Sequence, residues 1–297
     1  MSLSPPPRKQ TDLTALTLDD LSTALRNIIP DDDEVIVMHS GVWSFAVAYG
    51  WTKPEDVDPM IDILADIIGP ERTLIMPAYN FDFYRTKQFD LTRSLPQVGV
   101  LPHRSWERMG MARTRQPMNS YFVVGPRQDE VLGLPCTTAW GDDSVLGWMH
   151  DVNARICILG VTWEEGCSFV HRCEEMARVP YRYFKRFPGI LFDDGREIGP
   201  CSEVLYSRPL TIMLADDWST ITDPLRASGD MLTTSHPKLR FESALSQTVY
   251  KQGMAVLEQD PYILLPTAEG LRDRVREWVS KDKEAEMAAL TPEQRWP

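Results

Sequence analysis

The densest run of chemically capable side chains is Cys167-Ser168-Phe169-Val170-His171-Arg172-Cys173-Glu174-Glu175. Read as a helix, it sets Glu174 at i+3 and Glu175 at i+4 from His171, so either carboxylate can reach the imidazole. A carboxylate beside an imidazole fixes its tautomer and stabilises the imidazolium. A general base that takes a proton from an amine needs both. Three other readings of the same residues stay open. Cys167 stands four residues before His171, at the spacing of a thiolate–imidazole pair. His171 and Glu175 have the spacing of two ligands to one metal. The pair is also an ordinary salt bridge on a helix surface.

A second candidate is His39-Ser40-Gly41, where the apolar run EVIVM ends. Ligands of open α/β sheets bind outside the carboxyl ends of strands. Free backbone N–H groups there suit a phosphate or a pantetheine carbonyl. The alternative is a Ser-capped turn with a partly buried His. Ser40 or Cys167 paired with His171 would instead serve a hydrolase of a thioester or amide.

These residues need a scaffold. Thr17 starts a helix that runs to Ile29 before Pro30. Residues 54–68 are helical, with Val57, Ile61, Leu64 and Ile68 on one face, Gly69 as the stop, and Pro59 as a second candidate start. Short apolar strands follow at 73–76, 121–124 and 156–159, and a short helix at 167–178. Asp194-Gly195 marks a hairpin turn between two aromatic-rich runs. Residues 239–257 and 268–280 read as helices. The segment 78–112, rich in aromatics and prolines, reads as an irregular functional insertion. Strands alternating with helices, then a hairpin, predict an α/β fold with a mixed central sheet flanked by helices. We expect a single domain over 13–280, a disordered stretch at 1–12, and a charged tail at 281–297 with little to bury.

Composition narrows the function. With 43% hydrophobic residues the chain can build a core, and no apolar run reaches the length of a membrane helix. Five scattered cysteines give no disulfide framework, which points to a cytoplasmic protein. A net charge of −12 argues against nucleic acid as partner; the clearest basic cluster is Arg178, Arg182, Lys185 and Arg186. Neither a phosphate loop, a dinucleotide fingerprint, a Cys-x-x-Cys pair, an H-E-x-x-H helix nor a G-x-S-x-G elbow occurs.

Taken in order, several motifs resemble those of the aminoglycoside 3-N-acetyltransferase family, also called the antibiotic N-acetyltransferases. They are His39-Ser40, Thr73-Leu74-Ile75-Met76-Pro77, Arg113-Thr114-Arg115-Gln116-Pro117-Met118-Asn119-Ser120, the 141–144 segment, Leu159-Gly160-Val161 and His171 with Glu174. The resemblance implies an α/β fold distinct from that of the common acetyltransferases. It also implies acetyl-CoA or another short acyl-CoA as donor, an amino sugar as acceptor, and no metal. It makes His171 the base and Glu174 its partner. It sets His39, Ser40 and Gly41 beside the donor, and Ser120, Asp142 and Asp143 on the acceptor side. Family members often carry Ser and His where this chain has Thr114 and Gln116, so a second imidazole is missing. The run VPYRYFKRF at 179–187 is similar to branches that acylate nucleotide-linked amino sugars, where Arg182 and its neighbours would meet phosphates. Otherwise these cations are solvated or pair with Asp193 and Asp194. The acceptor is thus an aminoglycoside or a nucleotide-linked sugar, a small molecule rather than nucleic acid or membrane. A non-catalytic metabolite-binding protein of the same fold is the remaining alternative, and the oligomeric state, a homodimer included, is open.

Overall fold

The computed structural model describes residues 16–209, 216–234, 236, 238–265 and 271–296; the expected disorder of residues 1–12 lies outside them. Among the described residues ten strands form: β1 (Val35–Ser40), β2 (Thr73–Pro77), β3 (Gln88–Asp90), β4 (Ala112–Arg113), β5 (Tyr121–Val124), β6 (Arg155–Leu159), β7 (Tyr183–Asp193), β8 (Arg196–Ser207), β9 (Leu232–Thr233) and β10 (Phe241–Leu245). Seven make the central sheet, in the order β4-β5-β2-β1-β6-β10-β9. The middle strands β2, β1 and β6 are parallel, and those outside them pair antiparallel.

The continuous apolar runs of β1, β2 and β6 suit strands covered on both faces. Alternation sends Val35, Val37, Ile156 and Ile158 into one hydrophobic layer, and Ile36, Met38, Leu74 and Cys157 into the other. Helices Val145–Asp151 and Ser246–Gln259 cover the first layer; Leu18–Ile28 and Asp58–Ile68 cover the second. This is the mixed α/β sheet flanked by helices that the sequence predicts. Thr17 and Asp20 form the reciprocal cap of the first helix. Residues 54–57 make a separate 3-10 turn, so Pro59 falls in the first turn of Asp58–Ile68, where its missing N–H removes no bond.

Three expectations change. Residues 239–257 are not one helix: Phe241 faces the second layer and Ala244 the first, a period of two, so 241–245 pair with β6 as β10 before the helix begins. The 78–112 insertion contains the helix Val100–Met109 and the strand β3. The charged tail continues the helix Leu271–Ala288 and packs against β7. There Lys283 Nζ donates to the Pro180 carbonyl at 2.9 Å, Tyr183 Oη donates to Glu286 at 2.5 Å, and Leu290 is buried.

The hairpin does form. β7 and β8 pair antiparallel through Asp194 and Gly195, both in the left-handed region at φ 47° and 78°. With β3 they make a second, three-stranded sheet. Among the described residues no helix is long and apolar enough to cross a membrane.

Candidate active site

β1, β2 and β6 end side by side, and the segments leaving them build the site. After β6 the chain turns at Gly160, φ 70°, where a Cβ would fall 2.2 Å from Ser44 Oγ. Thr162 caps the helix Trp163–Gly166, and the helix Val170–Met176 follows. That second helix seats closely on Ser246–Gln259 because Gly253 faces Cys173; a Cβ at Gly253 would come within 2.7 Å of the sulfur. Tyr79, just past β2, donates to Ser168 Oγ at 2.8 Å and lies 2.8 Å from Tyr121 Oη, tying the β2 loop to the residues before His171.

Of the two carboxylates in reach of His171, the fold selects Glu174. His171 Nδ1 and Glu174 Oε2 are 2.6 Å apart, with 22% of the imidazole side chain exposed and 1% of the carboxylate. Arg178 takes the left-handed conformation, φ 52°, and reverses the chain at the helix end. Tyr181 and Arg182 therefore return alongside Glu174. Tyr181 Oη donates to Oε1 at 2.7 Å, and Arg182 Nη2 lies 2.9 Å from Oε2. Burial by itself pushes the Glu174 carboxyl up. The Arg182 guanidinium, His171 and the Tyr181 hydroxyl outweigh it and hold the group well below the usual carboxylate range. Two tryptophans wall the imidazole: Trp140 at 4.8 Å between ring centres, tilted by 34°, and Trp218 edge-on at 5.7 Å. Their indole N–H groups are buried without hydrogen-bond partners. Nothing in the sequence near 171 points to either tryptophan.

The other candidate residues divide. His39 is buried beneath the Trp163–Gly166 helix and hydrogen-bonds the Gly166 backbone; burial pushes its pKa down to about 4, so it is neutral at pH 7. Ser40 turns to the opposite face, and its hydroxyl is buried without a partner. Gly41 donates its N–H to the Leu159 carbonyl at 2.8 Å and lines a cavity of about 200 Å3 with Trp43, Trp51, Lys53 and Gly99. Asp142 is exposed and accepts from Arg172 at 2.8 Å, while Asp143 accepts from the Thr137 N–H at 3.0 Å; both border an open cleft.

Ser120 does not line a cleft. It is fully buried, donates to the Ala78 carbonyl at 2.8 Å and accepts from Arg113 at 3.1 Å. Nor is Arg182 free for phosphate, since it is buried against Glu174 and donates to the Tyr206 carbonyl at 3.2 Å. Its basic neighbours lie over aromatic rings, Arg178 on Phe184, Lys185 on Phe187 and Arg186 on Trp296. Burial pushes the Cys167 thiol up to about 12, which removes the thiolate that a nucleophile needs. Glu175 turns from His171 to accept from Thr138 Oγ1 at 2.5 Å, which dissolves the pairing that a shared metal would need.

No curated protein matches this chain in sequence. Solved structures do match in shape. The aminoglycoside acetyltransferase AAC(3)-IVa apoenzyme is 19% identical with a TM-score of 0.68, covering 90% of this chain and 99% of its own. AAC-IIIb, solved as a binary complex with CoASH, is 19% identical with a TM-score of 0.65, covering 82% and 97%. A mutant of AAC(3)-IVa in complex with a gentamicin is 19% identical with a TM-score of 0.67, covering 87% and 94%. The aminoglycoside 3-N-acetyltransferase family model matches residues 47–236, more than half of the sequence. The chain belongs to the aminoglycoside 3-N-acetyltransferase family.

Proposed function

We propose that this protein transfers the acetyl group of acetyl-CoA to an amino group of an aminoglycoside, with His171 as general base and Glu174 as the residue that orients it. The observation that carries this is the 2.6 Å contact between a part-open imidazole and a buried, ionised carboxylate. Nδ1 is engaged by Glu174, so Nε2 is the nitrogen left to take a proton. The ammonium of the acceptor loses a proton to Nε2. The amine nitrogen then attacks the thioester carbonyl carbon, and the C–S bond breaks as the tetrahedral intermediate collapses. As the intermediate collapses, the second proton of the attacking nitrogen passes to the departing CoA thiolate to give the free thiol, and His171 returns the first proton to solvent. Glu174 stabilises the imidazolium in between.

The donor's thioester arm fits best at the end of β1. Ser40 offers a buried, unpartnered hydroxyl there, and the helix Trp43–Tyr49 begins without a side-chain cap. The complex of AAC-IIIb with CoASH and that of the AAC(3)-IVa mutant with a gentamicin support the choice of donor and acceptor class. An aminoglycoside acceptor is favoured over a nucleotide-linked sugar because the basic run that would meet a diphosphate is held by Glu174 and by aromatic rings.

Thiol release from acetyl-CoA tests the reading. We expect release in the presence of gentamicin or sisomicin, and an N-acetylated product by mass spectrometry. Release without amine would mark a hydrolase, and no release with any amino sugar would contradict the proposal.

A further inference from the structure

Trp140 touches both groups that carry positive charge in the site. Its ring lies 4.8 Å from the His171 imidazole between centres, tilted by 34°, and the Arg182 guanidinium carbon lies 5.7 Å from the centre of the same ring. The indole is buried, and its backbone is pinned on both sides. The Ala139 N–H donates to the Val204 carbonyl at 2.8 Å, the Trp140 carbonyl accepts from Arg172 Nη1 at 3.1 Å, and the Gly141 N–H donates to Thr138 Oγ1 at 3.0 Å. A ring fixed in this way has little freedom to turn aside when the charge beside it changes.

The charges around the imidazole are unequal. On its own helix Glu174 faces Nδ1, while Arg172 and Glu175 turn to Asp142 and Thr138. From the returning segment Tyr181 donates to Glu174, and Arg182 Nη2 stands 3.3 Å from Nδ1. On the Trp218 side, Glu164, Asp216 and Asp217 are taken by the Trp218 backbone N–H, Arg208 and Ser219. Once His171 is protonated, the Glu174 carboxylate thus answers two cations. The electron-rich face of Trp140 supplies further negative potential, which attracts a cation within about 6 Å of the ring centre.

We propose that Trp140 is a positioning residue for the base: its indole face stacks on His171, holds the ring toward Glu174 and stabilises the imidazolium formed when the acceptor amine gives up its proton. The inference rests on the acetyl-transfer reading of His171 and deepens it. Without the indole, the imidazolium loses a partner while Arg182 still opposes it. Proton uptake then becomes harder, which weakens the base and keeps it neutral to lower pH.

The test follows kcat and kcat/KM for gentamicin against pH in the parent, Trp140→Phe and Trp140→Leu, each first checked for an unchanged fold by circular dichroism. In Trp140→Leu we expect kcat to fall by about tenfold and the acid limb of kcat/KM to move to lower pH by about one unit, with KM for acetyl-CoA unchanged. Trp140→Phe keeps a ring face, so it should restore most of kcat and move the limb less, in the same direction. If Trp140→Leu does not fold, the direction of the limb in Trp140→Phe decides. A fall in kcat with the acid limb unmoved, or moved to higher pH, would make Trp140 a packing residue and overturn the inference. NMR titration of the imidazoles, with His171 identified by its absence in His171→Ala, reads the same charge state without turnover. The His171 midpoint should fall by about one unit in Trp140→Leu, and an unmoved midpoint would overturn the inference. A lowered midpoint in a protein that does not acetylate gentamicin would leave the Trp140–His171 coupling standing and remove the acetyl-transfer reading alone.

Discussion

Arg182 Nη2 stands 2.9 Å from Glu174 Oε2, the same oxygen that takes His171 Nδ1 at 2.6 Å. The carboxylate is thus held between an imidazole that changes charge during turnover and a guanidinium that does not. The permanent charge keeps Glu174 ionised in a buried site, so His171 always has an acceptor for its Nδ1–H. It also offsets part of the negative charge the imidazolium would otherwise feel.

A double-mutant cycle follows from that pair. Glu174→Ala leaves a buried guanidinium unpaired, which costs about 3–5 kcal/mol of stability. Arg182→Met leaves a buried carboxylate with fewer partners and should also destabilise. The double variant Glu174→Ala with Arg182→Met should lose markedly less than the sum, because neither charge is then stranded. Urea unfolding of the four proteins measures this, and additive losses would show that the two groups do not interact.

Cys167 gives a second prediction. Burial pushes its thiol up to about 12, so almost no thiolate exists at pH 7 to 8. Cys167→Ala should keep kcat within about twofold of the parent, the acceptor amine being the nucleophile. Loss of turnover in a folded variant, together with an acetylated Cys167 in the parent by mass spectrometry, would establish a covalent route instead.

His39 sets a pH dependence of stability. Its folded pKa is pushed from the ordinary value near 6.5 down to about 4. Above pH 6.5 the ring is neutral in both states and its burial carries no penalty. As pH falls below 6.5 the unfolded chain binds a proton that the folded protein refuses, so stability is lost progressively toward pH 4. Between pH 6.5 and 5 the loss is about 2 kcal/mol. Chemical denaturation across that window should show it, and His39→Asn should flatten it. An identical slope in the variant would mean that His39 does not titrate as its burial requires.

The sequence and the structure agree where the signal is local. His171 and Glu174 are legible because a helix turn fixes i and i+3 on one side, and the three parallel strands because their apolar runs are continuous. The hairpin at Asp194-Gly195 is legible from its turn residues. What the sequence hides is long-range. Arg182 reads as one of four clustered cations; only the chain reversal at Arg178 turns it inward while its neighbours settle on aromatic rings. Ser120 belongs to one of the motifs on which the family resemblance rests, yet just before β5 it is buried against the Ala78 carbonyl and Arg113. Trp140 and Trp218 reach His171 from 31 and 47 positions away in the numbering, on loops with no periodicity to place them. Phe241 begins a strand inside what reads as a helix because 241–245 needed a pairing partner, β6, that no local pattern reveals.

The most direct test is the turnover of His171→Ala with acetyl-CoA and gentamicin, followed by thiol release across pH. If Nε2 accepts the acceptor's proton, kcat should fall by about 10²–10⁴, with binding of acetyl-CoA retained by calorimetry. The remaining activity should follow the free amine alone, so the profile should move to higher pH. A variant with the parent's kcat and the parent's pH profile would show that the His171–Glu174 pair is a structural ion pair and that the base lies elsewhere.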